Sequence, residues 1–186
     1  ELEKWVNVAL NIINDSILIK PNAPVGDDNE PTYTAPSGVA DIECFYEKFN
    51  AICEVTMLTS RDQWFNEGQP VMRHLRDFEK RHKKQSYCLF IAPRLHQDTV
   101  NTFYNSVKYE YEGEKQKIIP MTISQLINIL QTMKVIIENN RKFTHIELME
   151  LYDMCVNMNM VANSQVWLVH VQQSIAEWRQ KQQSII

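Results

Sequence analysis

Two short runs of alternating apolar and polar residues flank a polar turn in residues 41–56, and this segment constrains the chain more than any other. If the runs pair as an antiparallel hairpin with its turn at Glu47 and Lys48, Asp41 lies directly across from Glu54. Directly opposed Cβ atoms are about 4.5–5.5 Å apart, so two opposed carboxylates repel unless a proton or a cation lies between them. Carboxylates and water are the ligands that Mg²⁺ prefers. The segment therefore predicts a divalent-metal site, which is typical of metal-dependent phosphoryl chemistry.

The acids of this segment are not equally constrained by their neighbours. Glu54 lies between the apolar residues Cys53 and Val55, in a run that should be buried, where an unpaired carboxylate would be costly. Asp41 has the alternative of being an exposed acid at the end of a strand. Glu43 shares a strand face with Asp41 but lies one step further into the hairpin, so we expect it to have a supporting or structural role.

The composition is that of one ordinary globular domain: 186 residues, of which 44% are hydrophobic and 23% charged. The 19 basic and 23 acidic residues give a formal net charge of -4, whereas autonomous DNA-binding modules are usually basic. If nucleic acid is the substrate, a separate reader or partner must bring it in. Because the first residue is Glu1 rather than Met, we expect residues 1–186 to be a single domain, either the C-terminal part of a longer protein or a processed chain.

The cysteines and the hydropathy indicate a protein of a reducing compartment. The four cysteines are dispersed without a C-x-x-C pair, so buried free thiols in a cytoplasmic setting are expected rather than a zinc site. No apolar run reaches the roughly 18 residues that a membrane span needs. The cysteines are Cys44, Cys53, Cys88 and Cys155.

Hydrophobic periodicity predicts strands and helices that alternate after the opening hairpin, as in an α/β fold with a mixed sheet. Strands are predicted over 39–46, 50–58, 87–92 and 117–121, and helices over 2–19, 61–83, 97–109, 144–158 and 163–183, with a proline-rich loop over 21–38. Gly68 and Pro70 interrupt the second helix, so its regular part is expected to begin near Pro70. A further helix is predicted to start at Thr122, with this buried face: Ile123, Leu126, Ile127, Leu130, Met133 and Ile136.

Several segments resemble known nucleases. Val39-Ala-Asp41, followed after twelve residues by Glu54-Val-Thr56, resembles the active-site core of the PD-(D/E)xK superfamily. Three longer strings are more specific: Gln63-Trp-Phe-Asn-Glu67-Gly-Gln-Pro-Val-Met-Arg73-His74-Leu, Leu89-Phe-Ile-Ala-Pro-Arg-Leu-His96 and Ile118-Ile-Pro-Met-Thr122. They resemble the cleavage domain of type IIS restriction endonucleases. The resemblance is greatest to the strand-nicking endonucleases that recognise GAGTC and form the large subunits of heterodimeric type IIS enzymes.

This resemblance implies a restriction-endonuclease-like mixed central sheet flanked by helices, with extra C-terminal helices. It also implies three further site residues. Glu67 would be a metal ligand or a base that orients water, and the alternative is a solvated loop acid. His74 would be a site residue rather than an ordinary surface histidine. Glu3, which periodicity alone places on a solvated helix face, would lend a carboxylate to a second metal position.

One position departs from the superfamily pattern. The pattern ends in a lysine that orients the attacking water or offsets developing charge, and this chain has Thr56 there. Arg73 and His74 are the candidates for that role, since arginine is a fixed cation and histidine exchanges a proton near neutral pH. Basic residues continue along the same predicted helix and form a run that is either a solvated face or a track for a phosphate backbone: Arg73, Arg76, Lys80, Arg81, Lys83 and Lys84.

The sequence thus predicts a Mg²⁺-dependent DNA endonuclease domain from a bacterial cytoplasm, in which Mn²⁺ can substitute. Its expected partners are double-stranded DNA, a DNA-recognition domain of the same protein and a small second catalytic subunit, with nicking of one strand when the chain acts alone. The rival from another class is a catalytically inactive nuclease-fold module that mediates protein–protein association, and the missing lysine supports it. A small-molecule phosphohydrolase is disfavoured because no glycine-rich phosphate loop occurs among only 4 glycines.

Overall fold

The computed structural model describes residues 1–12, 15–23, 27 and 38–184 of the chain. Within them, five strands form one mixed sheet in the order β1-β2-β3-β4-β5, which confirms the predicted α/β class. The strands are β1 (Leu18–Pro21), β2 (Ile42–Phe45), β3 (Asn50–Val55), β4 (Ser86–Ala92) and β5 (Ile118–Thr122). The helices are α1 (Leu2–Asn11), α2 (Arg61–His82), α3 (Gln97–Lys108), α4 (Ile123–Glu138), α5 (His145–Val156) and α6 (Ser164–Ser184).

The hairpin of β2 and β3 has the register that the sequence predicts. Glu43 pairs with Ile52, and Ile42 pairs with Cys53. The N–H of Tyr46 donates to the carbonyl of Phe49 at 3.0 Å and closes the turn. Asp41 lies one residue before β2, so this register continues to place it across from Glu54, as expected.

The sheet changes from antiparallel to parallel at β3. β1, β2 and β3 are antiparallel, whereas β3, β4 and β5 are parallel and joined through α2 and α3. Every residue of β4 is buried, as its continuous apolar run predicts for a central parallel strand. β3, β4 and β5 therefore end at the same edge of the sheet, and the loop after β3 leads directly into α2.

Helices cover both faces of the sheet. α2 and α3 lie on the face that carries Glu54 and Phe90, and the Phe90 ring contacts Phe103 of α3 at 5.1 Å between centroids. α1, α4 and α5 meet over Leu89 on the opposite face. α6 packs on α3, α4 and α5, and its Trp167 is fully buried.

The predicted helix over 2–19 is too long. α1 ends at Asn11, and Leu18–Pro21 is an edge strand that pairs with β2. The apolar spacing through Ile17 suggested a helix, but hydrogen bonds to β2 outweigh that local pattern, and Pro21 is tolerated at the end of an edge strand. Most of the predicted loop over 21–38 lies outside the described residues.

α2 is continuous through Pro70, so the expectation that it begins near that proline is wrong. The helix begins at Arg61, nine residues before Pro70, and the Ser60 side chain caps it by accepting from the Asp62 N–H. Proline in a helix interior removes one hydrogen bond and costs roughly 3 kcal/mol or more. Burial of Val71, Leu75 and Phe78 against the sheet offsets that cost. Continuity places Glu67 and His74 on one helix face.

The remaining helices and strands lie where the sequence predicts them and differ from the prediction only in detail. Thr122 caps α4 with a complete capping box, as predicted. The buried face of α4 is slightly rotated from the predicted one, because Ile127 is 46% exposed while Ile129 is buried. All four cysteines are free and buried, as expected. Among the described residues, no helix is long and apolar enough to cross a membrane.

Gln63 joins the two loops that follow the parallel strands β3 and β4, and its substitution tests how much this link stabilises the fold. Its buried amide donates to the carbonyls of Leu58 and Arg94 at 2.5 and 2.8 Å and accepts from the His96 N–H at 2.8 Å, which joins the loops after β3 and β4. Gln63→Leu leaves these backbone groups unpaired, so we expect the free energy of unfolding to fall by about 2–4 kcal/mol.

Urea unfolding of the two proteins measures this loss. Gln69→Leu, at an exposed position of the same helix, is the matched control and should change stability by no more than about 0.5 kcal/mol. Equal stability of the Gln63 and Gln69 variants would contradict the proposed link between the loops.

Candidate active site

A cavity of about 490 Å³ opens where β3 ends, between α1 and α2. All five residues predicted for the site line it, although they come from four different segments of the chain: Glu3, Asp41, Glu54, Glu67 and His74. α1 supplies Glu3, the residue before β2 is Asp41, β3 supplies Glu54, and α2 supplies the other two. The structure thus brings the sequence candidates into one place.

Asp41 and Glu54 are held side by side through backbone donors. The Val55 N–H donates to Asp41 Oδ2 at 2.7 Å, and the Asp41 N–H hydrogen-bonds the Glu54 carboxylate in return. These reciprocal bonds fix both acids at the open end of the hairpin, where they would otherwise repel each other. Burial, followed by the charge of Glu54, raises the pKa of Asp41 to about 8.

His74 reaches Glu54 from α2. Its Nδ1 lies 2.8 Å from Glu54 Oε1, and both side chains are largely buried. Burial raises the pKa of Glu54, and the contact with His74 opposes that rise. The Glu54 carboxylate therefore fixes the orientation of the imidazole and leaves Nε2 as the nitrogen that can exchange a proton with a ligand.

Thr56, at the position of the missing lysine, contacts Glu67. Burial raises the pKa of Glu67, while a hydrogen bond from the Thr56 hydroxyl and the proximity of His74 lower it. The Thr56 oxygen also accepts from the Leu58 N–H at 3.2 Å. Thr56 therefore orients Glu67 but brings no positive charge, so it does not replace the lysine electrostatically.

Glu3 completes the acidic lining. Burial raises its pKa, and its charge in turn contributes to the raised pKa of Asp41, as does the charge of Glu67. Four acids of the cavity, Glu3, Asp41, Glu54 and Glu67, therefore have ionised forms that their surroundings disfavour. Such a cluster is typical of functional sites, because a bound cation or a proton stabilises it.

The donor chemistry suits Mg²⁺, but the described residues do not form a complete set of protein ligands. Among them, no group of three or more His, Cys, Asp or Glu side chains is arranged so that it could hold a metal ion. Asp41 and Glu54 remain as a pair of adjacent carboxylates. Mg²⁺ usually keeps several waters and takes one or two carboxylates together with substrate phosphate, so this pair fits it. Metal ligation by Glu3 stays a prediction.

Glu43 lies away from the cavity, as its structural interpretation implies. Its buried carboxylate pairs with Lys20 at 3.3 Å and with Arg81 at 3.1 Å, which fastens the hairpin to β1 and to α2. Other basic residues of the predicted run also have intramolecular partners. Arg76 is buried between Glu79 and Glu114, at 2.9 and 3.2 Å. Much of the run is therefore structural and is not a continuous track for phosphates.

The cavity also contains residues to which the sequence analysis gave no role. Asn66 lies on its wall, and so does Pro70. The signal that could have found them was helix periodicity, since both lie on the α2 face of Glu67 and His74 once the helix is known to continue through Pro70. Arg73, a sequence candidate for the role of the lysine, lies on the same wall.

The family of this chain follows from its sequence over the region that builds the cavity. The family model described as AlwI restriction endonuclease matches residues 1–129. The chain belongs to the AlwI restriction endonuclease family. The matched region contains α1, the hairpin and α2, and so every candidate site residue. Membership in this family implies a DNA endonuclease.

The fold is also similar to that of a solved restriction enzyme. The crystal structure of the small subunit (R.BspD6I2) of the heterodimeric restriction endonuclease R.BspD6I matches with a TM-score of 0.79. The match covers 92% of this chain and 87% of that chain, with 21% sequence identity. At this identity the likeness establishes the fold alone, and it confirms the restriction-endonuclease-like architecture. No curated protein matches the chain.

The raised pKa of Asp41 predicts how stability depends on pH without metal. A folded-state pKa of about 8, against 3.8 for the free side chain, means that the folded protein retains a proton that the unfolded chain has lost. Stability therefore falls as pH rises from about 4 to 8, and the full penalty is present above pH 8. Asp41→Asn keeps an acceptor for the Val55 N–H without the charge. We expect it to stabilise the metal-free protein at pH 9 by at least about 1 kcal/mol.

Thermal melts in EDTA at pH 5 and pH 9 measure this effect. The stability gain of Asp41→Asn should shrink at pH 5, where the native carboxyl is already protonated. Asp98→Asn, at an exposed acid outside the cavity, is the control and should show little change with pH. Destabilisation of the Asp41 variant at pH 9 would indicate that the ionised carboxylate has a structural role.

Proposed function

We propose that this chain is a Mg²⁺-dependent DNA endonuclease domain of the PD-(D/E)xK type, which hydrolyses one phosphodiester bond. The observation that supports this best is the convergence of Asp41, Glu54 and Glu67 with His74 in one cavity of a restriction-endonuclease fold. Buried acids with raised pKa values have no structural reason to be gathered there. A divalent cation and a phosphate together would neutralise them.

Each residue has a distinct task in the proposed reaction. Asp41 and Glu54 would hold a divalent ion, which would supply Lewis-acid stabilisation of the developing phosphoryl charge and acidify bound water. Glu67, oriented by Thr56, positions the attacking water. His74 exchanges a proton through Nε2 while Glu54 holds Nδ1. Glu3 contributes a carboxylate to a second cation position, and Mn²⁺ can replace Mg²⁺.

Recruitment of DNA requires a region other than this cavity. The net charge of -4 and the acidic lining oppose a polyanion, and several cations of α2 are paired with acids of the chain. We infer that a recognition domain of the same protein reads an asymmetric site and delivers the scissile phosphate. On the sequence resemblance to GAGTC-specific nicking enzymes, we propose that this site is GAGTC and that the protein acts in the bacterial cytoplasm.

The proposed product is a nick, because one active site cuts one strand. Double-strand cleavage then needs a second active site from a smaller catalytic subunit. The matched solved structure is itself the small subunit of a heterodimeric restriction enzyme, and this supports a subunit partner for the present chain. The inactive protein-association module is the second candidate, supported by Thr56 in place of lysine. It gives no reason for the adjacent carboxylates of Asp41 and Glu54.

Cleavage of supercoiled plasmid tests the proposal. With Mg²⁺ the protein should convert supercoiled plasmid to the nicked form, and EDTA should abolish the reaction. Asp41→Asn and Glu54→Gln should each lower the rate by at least about 100-fold, because a charged metal ligand becomes a neutral amide. Glu43→Gln is the matched control, since Glu43 is a buried acid of the same hairpin that lies outside the cavity.

The outcomes separate the two candidate functions. Cleavage that survives both cavity substitutions would remove these acids from the mechanism. A native protein that does not cut, even together with its recognition domain, would favour the association module. Equal loss of activity in Glu43→Gln would instead point to damage of the hairpin.

A further inference from the structure

The basic residues of α2 differ in whether their side chains form ion pairs within the folded chain. Arg76 is buried against Glu79 and Glu114. Lys80 pairs with Glu112 at 2.8 Å, and Arg81 pairs with Glu43 at 3.1 Å. These cations already balance acids of the chain, so a ligand would have to compete with those acids for their charge.

Arg73 is the exception that lies at the cavity. It is exposed, it lines the same wall as Glu67 and His74, and it makes no ion pair or side-chain hydrogen bond within the described part of the chain. Its location follows from the continuity of α2 through Pro70, because residues three or four apart share a helix face. A guanidinium without an acidic partner, beside a cluster of carboxylates, is free to bind an incoming anion.

The neighbouring residues cannot supply this charge. The Thr56 hydroxyl is neutral and is already engaged with the Leu58 N–H and with Glu67. His74 Nδ1 forms a hydrogen bond with Glu54, so the carboxylate balances any positive charge on the imidazole ring. Among the described residues that line the cavity, Arg73 is the only lysine or arginine.

We propose that Arg73 binds the scissile phosphate of DNA and supplies the fixed positive charge that the absent lysine would supply. This inference rests on the proposed function of the cavity. A planar guanidinium donates two parallel hydrogen bonds to the non-bridging oxygens of a phosphate, and it stays charged at any working pH. Arg73 thus offsets the repulsion between the phosphate and the acids of the cavity while the reaction proceeds.

Binding of a labelled 30-base-pair duplex in EDTA, by the chain together with its recognition domain, tests this contact without cleavage. The dependence of log Kd on log salt concentration reports the number of phosphates contacted, about 0.9 per phosphate. Arg73→Gln should reduce this slope by about 0.9 and weaken binding at low salt. Lys83→Gln, an equal charge change at the far end of α2 and outside the cavity, should leave the slope unchanged. Arg73→Lys should restore the slope because it restores the charge.

Single-turnover nicking with Mg²⁺ gives the second measurement. At saturating protein, Arg73→Gln should slow nicking by about 10- to 100-fold, and Arg73→Lys should recover only part of the rate, because a lysine lacks the paired donors. The melting temperature of each variant should equal that of the native protein, since Arg73 is exposed and contributes no internal bond. A merely structural role would instead lower the melting temperature and would not follow the charge.

These measurements distinguish failure of this inference from failure of the proposed function. If Asp41→Asn abolishes nicking but Arg73→Gln cuts and binds like the native protein, Arg73 is not a phosphate contact. If the native protein does not nick, the salt dependence of binding is the only test. A slope that Arg73→Gln lowers and Lys83→Gln leaves unchanged would then still support the contact between Arg73 and a phosphate. A native protein that neither nicks nor binds the duplex, even together with its recognition domain, would overturn both.

Discussion

The rest of the site depends on the reciprocal hydrogen bonds at the open end of the β2–β3 hairpin. The Val55 N–H holds the Asp41 carboxylate, and the Asp41 N–H holds that of Glu54. A hydrogen bond to an ionised group contributes roughly 1.5–3 kcal/mol, which offsets part of the repulsion between the two acids, while burial and the charge of Glu54 still keep the pKa of Asp41 raised. Because both donors belong to the main chain, the acids cannot separate unless the hairpin opens. A slip of the β2–β3 register by one residue would place the two side chains on opposite faces of the sheet.

α2 packs against the strand face that carries Glu54. Glu54 meets His74, and Thr56 meets Glu67, so residues two apart on the strand contact residues seven apart on the helix. The two strand residues are about 7 Å apart along the strand, and the two helix residues are about 10 Å apart along the helix. Both contacts can form together because the helix runs in the opposite direction and crosses the strand at an angle. A break at Pro70 would uncouple the two contacts. The helix therefore retains its proline within an unbroken run, at a cost that its buried face offsets.

The sequence predicted what depends on local pattern and missed what depends on distant contacts. The hairpin register followed from alternation and a polar turn, and the α4 cap followed from Thr122. β1 was missed because four residues of an edge strand become a strand only when β2 is beside them. The place of Glu3 was inferred from resemblance alone, since no local pattern shows that α1 packs beside β3. The contact of Thr56 with Glu67 likewise depends on the packing of α2.

The charge balance of the cavity explains how the site tolerates Thr56. A lysine there would neutralise one acid in the resting protein, whereas Thr56 leaves the acids with raised pKa values. A proton on Asp41 then takes the place of the missing positive charge, and binding of the proposed metal ion would have to release it. Affinity for the ion should therefore increase with pH until Asp41 is ionised. Arg73 does not disturb this competition, because its charge lies at the exposed wall where a phosphate, rather than the ion, would meet it.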